Sequence, residues 1–149
     1  MKRIVKIALM LVISSCPAWA ALGQYEGSVS LDQQFMKSED HVRVFQSYRV
    51  HQLTTANGIT VREYVSPSGL VFGISWGGRF MPDVRQLLGD YVNNLQSASA
   101  AQTRIRHLRG LTVKTSDFVF TSFGHMQSWA GSAYVPSLVP TNVSAEVVR

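Results

Sequence analysis

The chain has 149 residues, 46% hydrophobic and 15% charged, enough apolar material for one folded domain and too little charge for a disordered one. Its formal charge of +5 includes Lys2, Arg3 and Lys6; removing these from the 14 Lys and Arg leaves 11 against 9 Asp and Glu, a net +2 that argues against a nucleic-acid surface. The single cysteine, Cys16, excludes an internal disulfide framework and zinc sites of the cysteine type.

Met1-Lys2-Arg3-Ile4-Val5-Lys6 is a short basic start. The apolar run at 7–13 is too short for a bilayer, which takes about 20 apolar residues. Ala18-Trp19-Ala20 then matches the A-x-A pattern of signal-peptidase cleavage, with the cut expected between Ala20 and Ala21. Pro17 breaks the apolar helix just upstream. Residues 1–20 therefore read as an export signal, and the mature chain as periplasmic or secreted. A competing pattern lies inside the signal. Ile13-Ser14-Ser15-Cys16 resembles a lipobox and would make an outer-membrane lipoprotein anchored through Cys16. Ile13 stands where Leu is usual and Pro17 follows the cysteine, so cleavage after Ala20 is the better match. No later stretch is apolar for long enough to span a membrane.

Residues 21–30 contain Gly and Ser and read as a flexible lead-in. Ser30-Leu31-Asp32-Gln33 fits a capping box opening a short helix through Met36. Residues 37–47 carry mixed charge and no clear pattern, so 21–47 is set apart as a lead-in from a single domain at 48–149.

Within that domain, 48–54, 59–65 and 70–76 read as a three-stranded meander. Asn57-Gly58 signals the first turn and Ser66-Pro67-Ser68-Gly69 the second. Pairing Ala56 with Ile59, and Val65 with Leu70, gathers Val50, Ile59, Val61, Val65, Leu70, Phe72, Ile74 and Trp76 on one face. It puts Arg49, His51, Thr60, Arg62, Tyr64 and Ser75 on the other.

The period then changes to that of a helix, with Val84, Leu87, Leu88, Tyr91, Val92 and Leu95 on one stripe. Pro82 suits its first position and Asp83 its positive end. Residues 97–102 extend this helix or link onward. Strands are expected at 111–114, 117–122 and 126–135, with a turn at Phe123-Gly124-His125 and a short helical turn in 142–148. The fold class is α+β: a mostly antiparallel sheet of five or six strands, comprising the meander, one main amphipathic helix and further strands.

In order, the segments Asp32-Gln33-Gln34, Tyr48-Arg49-Val50-His51, Gly58-Ile59-Thr60-Val61-Arg62-Glu63-Tyr64-Val65, Gly69-Leu70-Val71-Phe72 and Trp76-Gly77-Gly78 follow the export signal. Pro82-Asp83-Val84-Arg85-Gln86-Leu87-Leu88-Gly89, Gly124-His125-Met126 and Ala133-Tyr134-Val135-Pro136-Ser137-Leu138-Val139-Pro140 come after them. Together they resemble a proteobacterial family, domain of unknown function 2844, over nearly the whole mature chain. The resemblance implies an exported protein and transfers no catalytic residue. Arg104 to Arg109 lies outside the matching segments.

Four groups are candidates for chemistry. In the register above His51 faces Tyr64 with Arg62 nearby, a set that could bind an anion or move a proton, or simply pair across solvated strands. Glu63 falls among apolar neighbours, where a carboxyl must be paired or neutral; a margin ion pair is the plainer reading. His125 lies near Ser122 and Ser128, but no G-x-S-x-G elbow exists, which favours a turn histidine. Arg104, Arg106 and Arg109 form a basic patch suited to phospholipid headgroups or anionic glycans, or to plain solvation. His41, His51, His107 and His125 form no H-x-x-x-H pair, so no metal is expected, and no glycine-rich phosphate loop or other cofactor signature appears. The leading expectation is a non-enzymatic accessory or binding module of the cell envelope, whose partner is an envelope protein or glycan. The alternatives are a small periplasmic enzyme using His51 and Tyr64 or Glu63, and a protein lipid-anchored through Cys16.

Overall fold

The computed structural model describes residues 22–101 and 110–149. Cys16, Ala20, Ala21, Arg104, Arg106 and Arg109 lie outside the described residues. Within them, the strands β1 (Glu39–Val44), β2 (Arg49–Thr54), β3 (Ile59–Val65), β4 (Val71–Gly78), β5 (Gly110–Lys114), β6 (Val119–His125) and β7 (Ser128–Tyr134) form one antiparallel sheet. The order is β1-β2-β3-β4-β7-β6-β5. Two meanders build it. The first runs from β1 to β4. The chain then leaves the sheet through α2 (Val84–Leu88) and α3 (Tyr91–Ala101), forms the far edge as β5, and returns until β7 pairs with β4. A further helix, α1 (Val29–Met36), precedes β1.

The sheet has seven strands where five or six were expected. The addition is β1, within 37–47. An edge strand has one neighbour, and five residues of Glu39–Val44 are exposed, so no two-residue apolar alternation marks it. The lead-in also differs from expectation, because it docks. Leu22 is buried and donates its N–H to the Leu87 carbonyl at 3.0 Å, and Gly23 donates to Val71 at 2.8 Å. The first helix starts at Val29, so Ser30 does not cap it; its hydroxyl donates to the Gly27 carbonyl.

The expected main helix is two. Asp83 caps α2 by accepting the N–H groups of Arg85 and Gln86, which leaves Pro82 outside the helix. Gly89, at φ 51, ends α2 in a backbone shape that favours glycine, and α3 begins two residues later. The apolar stripe survives the break: Leu87 and Leu88 are buried, and Val84, Tyr91, Val92 and Leu95 pack on the same core.

The register of β2 on β3 is one residue away from expectation, so His51 faces Glu63 and not Tyr64. The cause is the turn. The Thr55 N–H donates to the Ile59 carbonyl, while the Thr55 hydroxyl accepts the Ile59 N–H at 3.0 Å. Ala56-Asn57-Gly58 thus forms a three-residue loop closed by Gly58 at φ 84, where Asn-Gly suggested two. One extra residue turns every β2 side chain to the other face. Arg49, His51 and Leu53 join the helix side, and Val50 joins Tyr64. A bulge between Tyr64 and Val65 then puts Phe72 on the Tyr64 side, not with Ile74. In the second meander the turn falls at Met126-Gln127, between His125 and Ser128, and not at Phe123–His125.

Both faces are covered. On one, α1, α2 and α3 enclose Leu53, Val61, Val65, Ile74, Trp76, Phe118 and Phe120. There Trp76 lies over Gly131, whose missing side chain leaves room for the indole: a Cβ would sit 2.3 Å from the ring. On the other, the C-terminal tail brings Leu138, Val139, Val143, Val147 and Val148 onto Val50, Tyr64 and Phe72.

Candidate functional site

The polar residues of the helix-covered face form two adjacent clusters, one around Asp32 and Glu63 and one around His51. β3 presents Glu63 inward between Val61 and Val65, with His51 and Ile74 as its cross-strand neighbours. α1 brings Asp32 down onto it, because Asp32 shares the inward stripe with Val29 and Met36. Gln86 on α2 donates Nε2 to Asp32 Oδ1 at 2.8 Å. Asp32 and Glu63 are both fully buried.

Two ionised carboxylates cannot bond each other, since both only accept. Asp32 Oδ2 and both Glu63 oxygens have no hydrogen-bond partner among the described residues. A proton on one carboxyl supplies the missing donor. Burial raises the pKa of Asp32 to about 6, against the opposing bonds from Gln86 and Glu63. Burial, the Asp32 charge, the bond to Asp32 and the Asp40 charge all push Glu63 well above the usual carboxylate range. The buried pair therefore favours keeping a proton, and the stronger upward push falls on Glu63.

The outer cluster is built on His51. Its Nδ1 lies 2.8 Å from Asp40 Oδ2, and its Nε2 lies 3.0 Å from Glu26 Oε1. Both bonds form at once only when both ring nitrogens carry hydrogen. Arg49 Nη2 donates to the second oxygen of Glu26. Burial opposes ionisation of Glu26, but the bonds from His51 and Arg49 and their charges prevail and hold its carboxyl below the usual range.

Beside these clusters a groove of about 300 Å³ opens between the end of α1, the 55–57 loop and the start of α2. Phe35, Met36, Ile59, Met81, Pro82 and Leu87 make its apolar walls, and Lys37, Asn57, Asp83 and Gln86 add polar groups. Phe35 and Met81 are 58% and 41% exposed, so the walls reach the surface. Gln86 belongs to both features: it lines the groove and holds Asp32.

A family model, "Protein of unknown function (DUF2844)", matches residues 18–148. The chain belongs to this family. No curated protein and no solved structure matches it. The matched DUF2844 span contains both clusters and every groove residue.

Of the residues singled out from sequence, the DUF2844 fold brings His51 and Glu63 together. It puts Tyr64 on the opposite face, where its hydroxyl donates to the Arg149 carbonyl at 2.9 Å. Arg62 is also on that side, donating Nε to Gln52 Oε1 at 3.3 Å. His125 ends β6 beside an exposed turn, across from Ser128, and Ser122 is three residues away along the strand. Sequence reasoning missed Glu26, Asp32, Asp40, Arg49 and Gln86 as a group. Asp32 had a signal: its spacing from Val29 and Met36 puts a carboxylate on an apolar helix stripe. Among the described residues, no three His, Cys, Asp or Glu side chains converge as a metal site would.

Proposed function

We propose that residues 1–20 export this chain to the periplasm, where it acts as a non-enzymatic binding module of the cell envelope. Its binding site is the groove between α1, the 55–57 loop and α2. The observation that carries this reading is the contrast in access. Apolar walls with half-exposed Phe35 and Met81 open to solvent, whereas the acid–base pair behind them is sealed. Both nitrogens of His51 are engaged by carboxylates, so the ring has no free position to serve a nucleophile. The groove suits an apolar side chain of an envelope protein better than a glycan, because polar groups are the minority of its lining.

The test is complementation of a deletion strain by a Phe35→Asp/Met81→Asp variant, with abundance and melting temperature measured alongside. A folded, abundant variant should fail to complement; full complementation would remove the groove from the function. N-terminal sequencing of the exported chain checks the address. Ala21 at the terminus supports the soluble reading, and a lipid-modified Cys16 replaces it with an anchored one.

A second reading, a small acid–base enzyme, draws on the proton shared by Asp32 and Glu63 one hydrogen bond behind the groove wall. Glu63→Gln separates the two. It keeps the side chain's shape and removes its acid chemistry, so a folded variant that fails to complement puts the enzyme first.

A further inference from the structure

We propose that β1 is a dimerisation edge, through which two copies of this chain join antiparallel about a two-fold axis at His41. In this register Glu39 of each copy faces Arg43 of the other.

Three observations carry it. β1 ends the sheet, with β2 as its one neighbouring strand among the described residues. Its exposed apolar side chains are large: Val42 is 51% and Val44 76% accessible, and both lie on the helix side of the sheet beyond the cover of α1. The backbone edge is unobstructed, since Glu39–Val44 contains no proline and pairs with β2 without a bulge, and its charges, Glu39, Asp40 and Arg43, are of both signs.

Backbone geometry then restricts the partner's register. The Phe45 N–H donates to the Tyr48 carbonyl at 2.9 Å, so Phe45 and Tyr48 form a hydrogen-bonded pair. Such pairs alternate along an antiparallel ladder. Arg43, His41 and Glu39 therefore point their backbone groups at β2, while those of Asp40, Val42 and Val44 face the open side. A second strand must bond to this last set.

Self-pairing is thereby limited to registers that join Asp40, Val42 and Val44 of the two copies; centring on Val44 overlaps the strand only from Val42 to the turn, and charge selects among the rest. Centring on Asp40 sets two carboxylates together. Centring on Arg43 sets two guanidiniums together. Centring on Val42 puts His41 against Arg43. Centring on His41 pairs Glu39 with Arg43 twice, at the non-hydrogen-bonded positions where facing side chains come closest. It also makes Val42 and its copy diagonal neighbours, covering part of the exposed apolar strip. The strand is thus complementary in charge to its own inverted copy, and the occupant that fits it is a second molecule of the same chain.

Sedimentation of the chain purified after export tests this. A reversible dimer is expected. Val42→Pro should abolish it with the fold kept, because a proline whose missing N–H faced outward removes no bond to β2. Glu39→Arg and Arg43→Glu should each weaken the dimer by about tenfold, since symmetry doubles every like-charge contact. Combining the two should restore it, a rescue that simple misfolding would not show. His41→Cys should cross-link to itself under mild oxidation, and Val44→Cys should not, because only position 41 meets its copy on the axis. Should Val42→Pro fail to fold, the charge swap and the cysteine pair still decide. A chain that stays monomeric at every concentration overturns the proposal. So does a dimer indifferent to these substitutions, or a β1 edge that pairs only with a different protein.

Discussion

On the helix-covered face of the sheet, two carboxyl groups are sealed among leucines, valines and phenylalanines. On the opposite face, the C-terminal tail seals Tyr64 and Phe72 using apolar contacts and the hydrogen bonds of one hydroxyl. The difference lies in how each cover is made. The first face needs α1, α2 and β3, remote in sequence, to meet at Asp32, Gln86 and Glu63. The second needs one segment to lie down on a finished sheet. Polar groups are tolerated in the first because several elements supply partners to them; the second has few partners to offer and holds few polar groups. The helix side should therefore carry most of the stability and most of its pH dependence, and the tail side little of either.

The largest effect tests the first half of that statement. Leu88, the last residue of α2, is fully buried. Leu88→Ala should cost about 2–5 kcal/mol in a denaturant melt, as for buried leucines elsewhere. A loss under about 0.5 kcal/mol, the size of a surface change, would mean that the helices do not carry the fold.

The next effect is electrostatic. A buried acid with a raised pKa keeps its proton in the folded state where the unfolded chain has lost it, so stability falls as pH rises through the gap. For Asp32 the gap runs from 3.8 to about 6, and for Glu63 it runs upward from 4.5. Each proton contributes a slope of up to about 1.4 kcal/mol per pH unit. Glu26 acts with the opposite sign: its lowered pKa stabilises at higher pH, and that contribution is lost only as pH falls below 4.5. Melting temperatures taken from just above 4.5 to about 6 therefore isolate the buried pair. Wild type should lose stability across this range, and Glu63→Gln should make the fall shallower, leaving the part due to Asp32. A wild-type curve that rises there would place both carboxylates ionised and the pair misread.

The two faces were not equally legible in the sequence. Local signals for strands and for the apolar helix stripe depend on a few neighbouring residues, and β2, β3, α2 and the second meander follow them. What failed was the count of residues in one loop. Asn57-Gly58 marked the turn, but the Thr55 hydroxyl that widens it to three residues leaves no pattern of its own. That single residue moved His51 from Tyr64 to Glu63 and hid the adjacency of the two clusters. Asp40 was lost with β1, whose exposure erases alternation, and Gln86 was lost because its partner is 54 residues away. Glu63 was singled out as a candidate buried acid because its apolar strand neighbours are local, and Asp32 carried a comparable local signal in its spacing from Val29 and Met36.

The smallest effect belongs to the tail. The Tyr64 hydroxyl donates to the Arg149 carbonyl at 2.9 Å and accepts the Arg149 N–H at 3.3 Å, and it lies 3.4 Å from Ser75 Oγ. Tyr64→Phe keeps the ring on Tyr48 and Phe72 and removes these polar contacts. Arg149 is exposed and its backbone can bond to water instead, while buried Ser75 loses only a long 3.4 Å contact, so the penalty of a stranded polar group stays small. The global cost should be about 1 kcal/mol, the net worth of an ordinary hydrogen bond. Its location is more telling than its size. Hydrogen exchange should quicken at Val147, Val148 and Arg149, whose turn is held by short-range bonds from Ser144 and Ala145, and should stay unchanged at β3 and β4. A loss of several kcal/mol, with exchange rising throughout β3 and β4, would show the tail to be as integral to the fold as the helices and would erase the contrast between the two faces.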